Sequence, residues 1–217
     1  MKKGLTELVF ILDKSGSMGG LEADTIGGYN SMLERQKAVS GECYITTVLF
    51  NSDYELLHDR IDIKTVNPIT ENEYYVGGLT ALLDAIGRTI HKMGNTQMDT
   101  TEDSLAEKVI FVIITDGEEN SSQEYSAKQV KKMIEKQKTQ YGWEFIFLGA
   151  NIDAVKTEGR FGIAPERAQN YHADSEGVDL NFRVLSEAVI SFRESDIVPE
   201  GWNEEIEKDY KKRGGKH

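Results

Sequence analysis

Unbroken apolar runs alternate along this chain with stretches whose apolar residues recur at helical spacing. Leu8 to Leu12, Val109 to Ile114 and Trp143 to Leu148 are short and almost free of polar residues, as expected of central strands covered on both faces. Leu21 to Lys37 carries Ile26, Tyr29, Met32 and Leu33 on one helical face, and Leu79 to Met93 carries Leu82, Leu83, Ile86 and Ile90. Gly94-Asn95 is expected to end that second helix. Thr96 to Ser104 reads as a surface loop. Ser121-Ser122-Gln123-Glu124 reads as the cap of a helix over Ser126 to Thr139. A further helix is expected over Ala154 to Gly159, a short last strand over Ala168 to His172, and a closing helix over Gly177 to Arg193 with Leu180, Val184, Leu185, Val189 and Phe192 inward.

Between the first two helices, Glu42 to Phe50, the turn Asn51-Ser52-Asp53 and Tyr54 to Ile61 predict a β-hairpin. Gly27-Gly28 inside the first helical pattern costs roughly 1 kcal/mol per glycine relative to alanine, so a close approach to a neighbouring backbone is expected there, with a break in the helix as the alternative. Alternating strands and helices with short links imply a doubly wound α/β sheet with helices on both faces.

The chemistry sits where strands end. Asp13-Lys14-Ser15-Gly16-Ser17 follows the first apolar run, so Asp13 falls at the carboxyl end of a central strand, the edge at which open α/β sheets bind ligands. A carboxylate and two hydroxyls at alternate positions of a glycine-containing loop are hard oxygen donors suited to magnesium or calcium rather than to softer metals. Two more pieces complete the set: Thr80 after the paired Gly77-Gly78, and Thr115-Asp116-Gly117 after the Val109 to Ile114 run.

Together these three pieces resemble the metal-ion-dependent adhesion site of von Willebrand factor type A domains, the family that includes the integrin inserted domains. The resemblance covers residues 1–195 and leaves 196–217 as a C-terminal extension, lysine-rich and expected to be partly disordered. It implies a Rossmann-like, mostly parallel sheet of order 3-2-1-4-5-6 with strand 3 antiparallel. It also implies that Ser15, Ser17 and Thr80 contact the metal directly while Asp13 and Asp116 act mainly through bound water. The metal implied is magnesium, with manganese and calcium accepted by the same donors. The partner implied is a protein that supplies a Glu or Asp carboxylate, and intracellular relatives often work beside ring-shaped ATPases. Glu118, Glu119, Asn120, Met18 and Tyr29 are candidates for the rim, with solvated loop or core as the plain alternative.

Composition narrows the classes. The chain has 217 residues and a net charge of −12, which disfavours nonspecific binding to nucleic acid or anionic membrane. Cys43 is the single cysteine and reads as a buried structural thiol. The apolar segment near the N-terminus is too short for a signal peptide or a membrane span. These features suggest a cytoplasmic, bacterial- or phage-type member of the family.

Enzymatic readings fit less well. Ser15 and Ser17 lack the Gly-x-Ser-x-Gly frame of a serine hydrolase, and His58, His91 and His172 have surface-like surroundings. Gly16 to Gly20 lacks the lysine of a phosphate-binding loop. A magnesium-dependent phosphatase or phosphotransferase with Asp13 as nucleophile is the main enzymatic alternative. A structural subunit whose metal only staples three loops is the other alternative.

Overall fold

The computed structural model describes residues 1–150 and 160–215. The helix expected over Ala154 to Gly159 lies outside them. The strands are β1 (Lys2–Asp13), β2 (Cys43–Phe50), β3 (Tyr54–Asp62), β4 (Ala106–Thr115), β5 (Glu144–Ala150) and β6 (Ala168–Tyr171). They form a six-stranded sheet of order β3-β2-β1-β4-β5-β6. β3 runs antiparallel to β2, and the other pairs are parallel. This is the expected doubly wound architecture, with the hairpin at one edge.

The helices are α1 (Glu22–Lys37), α2 (Leu82–Asp99), α3 (Ala127–Tyr141), α4 (Ser175–Ser195) and α5 (Glu204–Lys212). Side chains of β1 alternate between the two faces of the sheet, as a strand requires. Leu8, Phe10 and Leu12 join the core under α1 and α4, which supply Tyr29, Leu33, Leu185 and Val189. Val9 and Ile11 join the core under α2 and α3, with Ile86, Ile90, Val130 and Ile134. Both faces are therefore covered, which explains why the central runs lack polar alternation. Among the described residues no helix is long and apolar enough to cross a membrane.

Three element boundaries differ from expectation. α2 does not stop at Gly94-Asn95 but continues to Asp99; Thr96 and Thr100 fold their hydroxyls back onto the carbonyls of Lys92 and Thr96 at 3.0 and 2.6 Å. The cap of α3 is Ser126, which forms a capping box with Gln129. Ser121 and Ser122 instead donate their backbone N–H groups to Glu119. Finally, the extension expected after residue 195 packs in part on the domain: Val198, Trp202 and Ile206 are buried in the core, and the Trp202 indole N–H donates to the Glu166 carbonyl at 2.9 Å.

Gly28 does mark a close approach, although its neighbour is a ring rather than a backbone. A Cβ there would stand 2.2 Å from Cδ2 of Phe182 on α4.

Candidate metal centre

Asp13 is the last residue of β1, and Thr115 is the last of β4. Because Leu12 pairs with Ile114 in the parallel ladder, the two strands end level. The Asp13 carboxylate accepts the Thr115 hydroxyl proton through Oδ2 at 2.5 Å and the Ser15 backbone N–H through Oδ1 at 2.7 Å. The loop then turns through a 3₁₀ segment at Gly16–Met18. This brings the Ser15 and Ser17 hydroxyls within 3.0 Å of each other. Ser17 donates onward to Asp116 Oδ1 at 2.6 Å.

Thr80 arrives from a different part of the chain, and backbone hydrogen bonds fix its position. Gly16 N–H donates to the Gly78 carbonyl at 3.1 Å and Gly77 N–H to the Lys14 carbonyl at 2.9 Å. Gly78 has a φ of +79°, in the left-handed region that glycine enters without strain. Asn51 holds the same loop, donating its amide to the Gly77 carbonyl at 2.8 Å and accepting Ala81 N–H on its own carbonyl at 2.8 Å. On the other side, Thr80 N–H donates to the Asn120 side chain at 2.9 Å and Asn120 N–H to the Thr80 carbonyl at 3.1 Å.

Gly117 shows that these oxygens face one space. A Cβ built on it would lie 2.9 Å from Ser17 Oγ and 3.2 Å from Thr80 Oγ1. Asp13, Ser15, Ser17, Thr80 and Asp116 therefore gather at one edge of the sheet.

Both acids are buried, with consequences for their charge. Burial pushes the Asp13 carboxyl up to about 6, against the hydrogen bonds from Thr115 and Ser15 and with a further upward push from Asp116. Burial likewise raises Asp116 above the usual carboxylate range. Asp116 Oδ2 is buried and has no hydrogen-bond partner. An orphaned carboxylate oxygen is costly to bury. A divalent cation beside it would offset that cost, so the residues present fit one. Among the described residues no group of three or more His, Cys, Asp and Glu side chains could hold an ion; the donor set here is two carboxylates and three hydroxyls.

The proposed rim residues divide. Met18 and Tyr29 are core residues, Tyr29 with its hydroxyl 2.7 Å from that of Thr47. Asn120 pins Thr80, and Glu119 accepts the Leu83 N–H at 2.9 Å near the start of α2. Only Glu118 stands exposed with no such structural duty visible.

Several supporting residues escaped the sequence reading. Asp84 accepts the N–H groups of Gln123, Glu124 and Tyr125 and so fixes the loop after Asp116 to α2. The Tyr74 hydroxyl donates to the Asp13 carbonyl at 2.6 Å. Lys14 is buried, with its ammonium 2.5 Å from Glu55 and 4.1 Å from the centre of the Tyr75 ring. The run of polar residues at Asn51-Ser52, at the end of a buried strand, was the one visible signal for this scaffolding.

No family model and no curated relative matches this chain. Solved structures do. Manganese-loaded TRAP protein of Plasmodium vivax aligns with a TM-score of 0.59 at 19% identity, covering 84% of this chain and 74% of that one. A von Willebrand factor type A protein from Catenulispora acidiphila gives 0.58 at 12% identity over 86% of this chain and 42% of its own. Proximal thread matrix protein 1 of the mussel byssus, with a zinc-occupied adhesion-site motif, gives 0.58 at 14% identity over 86% and 46%. The chain thus spans less than half of the latter two, and 62% of the PilB minor pilin of Streptococcus sanguinis, which it matches at a TM-score of 0.59. On sheet order, the one antiparallel edge and these alignments, the chain has the fold of von Willebrand factor type A domains.

Proposed function

We propose that this chain is a divalent-metal-dependent protein-binding module in which Ser15, Ser17 and Thr80 hold the ion directly, Asp13 and Asp116 balance its charge from behind, and a partner's Glu or Asp completes the shell. The observation that carries the proposal is the buried, unpartnered Asp116 Oδ2 beside a cluster of hydroxyls. When bound, the ion supplies an electrophilic centre that takes an additional oxygen ligand. The chain's own groups do the rest. The hydroxyls add no charge, so the ion's positive charge is only partly neutralised and stays attractive to an acid. Carboxylates set behind hydroxyls suit an ion that keeps part of its water shell, which favours magnesium over calcium.

The competing readings meet physical objections. As a nucleophile Asp13 would have to reach a substrate, yet it is buried and both its oxygens are engaged by Ser15 and Thr115. A mere staple is not required either, since the three loops are already joined by the backbone hydrogen bonds around Gly16, Gly77 and Thr80.

The test is calorimetric titration with magnesium, manganese and calcium on the native chain and on Ser15→Ala/Ser17→Ala, followed by partner capture with and without chelator. The proposal expects metal binding that the double variant loses, and partner release by chelator while circular dichroism shows the fold retained. Native protein that binds none of the three ions would refute it. Mutation-sensitive hydrolysis of generic phosphoesters would favour the enzyme instead.

A further inference from the structure

At the amino-terminal edge of the sheet, away from the five oxygens, the last turns of α2 and α3 enclose a cavity of about 710 Å³. The ten residues of β4 run from this edge to the metal centre, so the two lie roughly 30 Å apart at about 3.3 Å per residue. The floor of the cavity is core: Ile90, Val109 and Trp143 are all buried. Its walls are not. Met98 on the last turn of α2 is 74% exposed and Tyr141 at the end of α3 is 58% exposed, and a ligand covering them would gain in proportion to the apolar area removed from water. Met1 and Met133 also line the space, so three of the six methionines meet here. Their unbranched thioethers adapt to irregular apolar shapes.

The charge at the rim has one sign. α3 carries Lys128, Lys131, Lys132, Lys136 and Lys138 against Glu135 alone, in a chain of net charge −12. Lys136 lines the cavity, is exposed, and has no ion-pair partner among the described residues. Glu107, the one carboxylate of the lining, is engaged: it accepts the Gly4 N–H at 2.7 Å. Size decides between a molecule and a protein segment. The volume falls within the range of about 300–1,000 Å³ typical of small-molecule sites, whereas a docked helix, about 10 Å across, would exhaust it within about two turns.

We infer that this cavity binds one amphiphilic anion, an unbranched aliphatic monocarboxylate, with its chain among the methionines and aromatic rings and its head group at Lys136. A single unpaired lysine matches a single negative charge, and flexible walls match a flexible chain. The cavity lies on the sheet face covered by α2 and α3 and at the opposite end of the strands from the oxygens, so this binding is separate from the metal-dependent one.

The experiment titrates the full chain with dodecanoate below its micelle concentration, in chelator so that the metal centre is silent. Tryptophan emission and calorimetric stoichiometry are followed. Trp143 forms the floor while Trp202 packs on the other face of the sheet, so Trp143→Phe should abolish the emission change and leave the calorimetric signal. One dodecanoate per chain is expected, with decanoate about tenfold weaker for the loss of two methylenes. Lys136→Gln should weaken dodecanoate about two- to fivefold and leave dodecyltrimethylammonium, of opposite charge, no weaker. Met98→Glu, a change at an exposed position, should weaken dodecanoate about tenfold or more with the melting curve by circular dichroism unchanged. Many molecules per chain, or equal affinity for dodecanoate and dodecyltrimethylammonium, would overturn the inference, because both describe adsorption to apolar surface. Unchanged affinity in both Lys136→Gln and Met98→Glu would place the ligand elsewhere and overturn it too. So would failure of dodecanoate to saturate while the chain pellets with phosphatidylglycerol vesicles, since the lysine face would then belong to a membrane surface.

Discussion

Replacing Asp13 by asparagine should have opposite effects with and without metal. In the metal-free protein the ionised Asp13 is an unfavourable buried charge: its carboxyl is raised from 3.8 to about 6, chiefly by burial. An acid whose folded value lies above its unfolded value favours folding at low pH, and that contribution is lost as pH rises from about 4 to about 6. Above that window the penalty is complete, at roughly 3 kcal/mol. A carboxamide removes the charge and keeps the contacts: Oδ1 can accept Ser15 N–H, and Nδ2 can donate to Thr115 Oγ, which then turns its proton to the Gly117 carbonyl 3.2 Å away. In chelator near pH 7.5 Asp13→Asn should therefore be the more stable protein by about 1–3 kcal/mol, a rise in melting temperature of about 2–12 °C for a chain of this size. The gain should shrink to a few tenths of a kcal/mol near pH 4. Saturating magnesium should reverse the order, because the native protein gains about 2.7 kcal/mol at a hundredfold excess over Kd and the variant loses a charge that holds the ion. Thermal unfolding by circular dichroism over a pH series, with chelator or magnesium, reads both effects. If the variant is no more stable than the native chain in chelator at pH 7.5, the burial argument is wrong. An undiminished magnesium shift in the variant would remove Asp13 from the metal site.

Other outcomes follow from single contacts. Gly117→Ala places a methyl 2.9 Å from Ser17 Oγ and 3.2 Å from Thr80 Oγ1, so calorimetry should find magnesium affinity reduced about tenfold or more, with metal-free melting within about 2 °C of native. Gly28→Ala drives a Cβ to 2.2 Å from the Phe182 ring and should cost about 1–3 kcal/mol in urea unfolding; adding Phe182→Leu should recover most of it, and no recovery would place the strain elsewhere. Trp202→Ala removes a buried ring and its hydrogen bond to the Glu166 carbonyl. A loss of about 3–5 kcal/mol is expected, and a loss under about 1 kcal/mol would mean that the segment after Asp196 does not contribute to the core. The Cys43 thiol is buried and pushed up to about 12 by that burial, so a thiol reagent at pH 8 should label it only on unfolding.

What the sequence disclosed and what it hid separate by the range of the interaction involved. The central strands were readable because a strand covered on both faces needs apolar side chains at every position, a purely local demand met by Leu8 to Leu12 and Val109 to Ile114. The five residues proposed for the metal could be singled out because each is a small oxygen-bearing side chain within a few residues of a strand or helix end, and it was their resemblance to the adhesion site that grouped them. Their supports could not be, because each depends on a partner distant in sequence. Ser121-Ser122-Gln123-Glu124 and Ser126 to Gln129 have the same capping-box spelling, and only the second caps α3. The N–H groups of the first are taken by Glu119 and by Asp84, some forty residues earlier. Glu7, fully buried on β1, is paired with Arg60 across fifty-three residues through bonds of 2.6 and 2.8 Å, and Arg60 sits at a positive φ in an irregular part of β3. Neither residue has a local mark. Gly94 shows the same limit from the other side: glycine followed by asparagine spells a helix end, yet α2 runs on through both to Asp99. The C-terminal segment is the instructive case. Pro199, Gly201 and the lysine-rich stretch suggested an extension, yet Val198, Trp202 and Ile206 are buried. Of the three only Ile206 lies in α5, so no helical period marks them: Val198 and Trp202 precede the helix, and Trp202 is fixed by the carbonyl of Glu166, thirty-six residues earlier. Their burial too is set by a partner distant in sequence, which neither charge composition nor local period discloses.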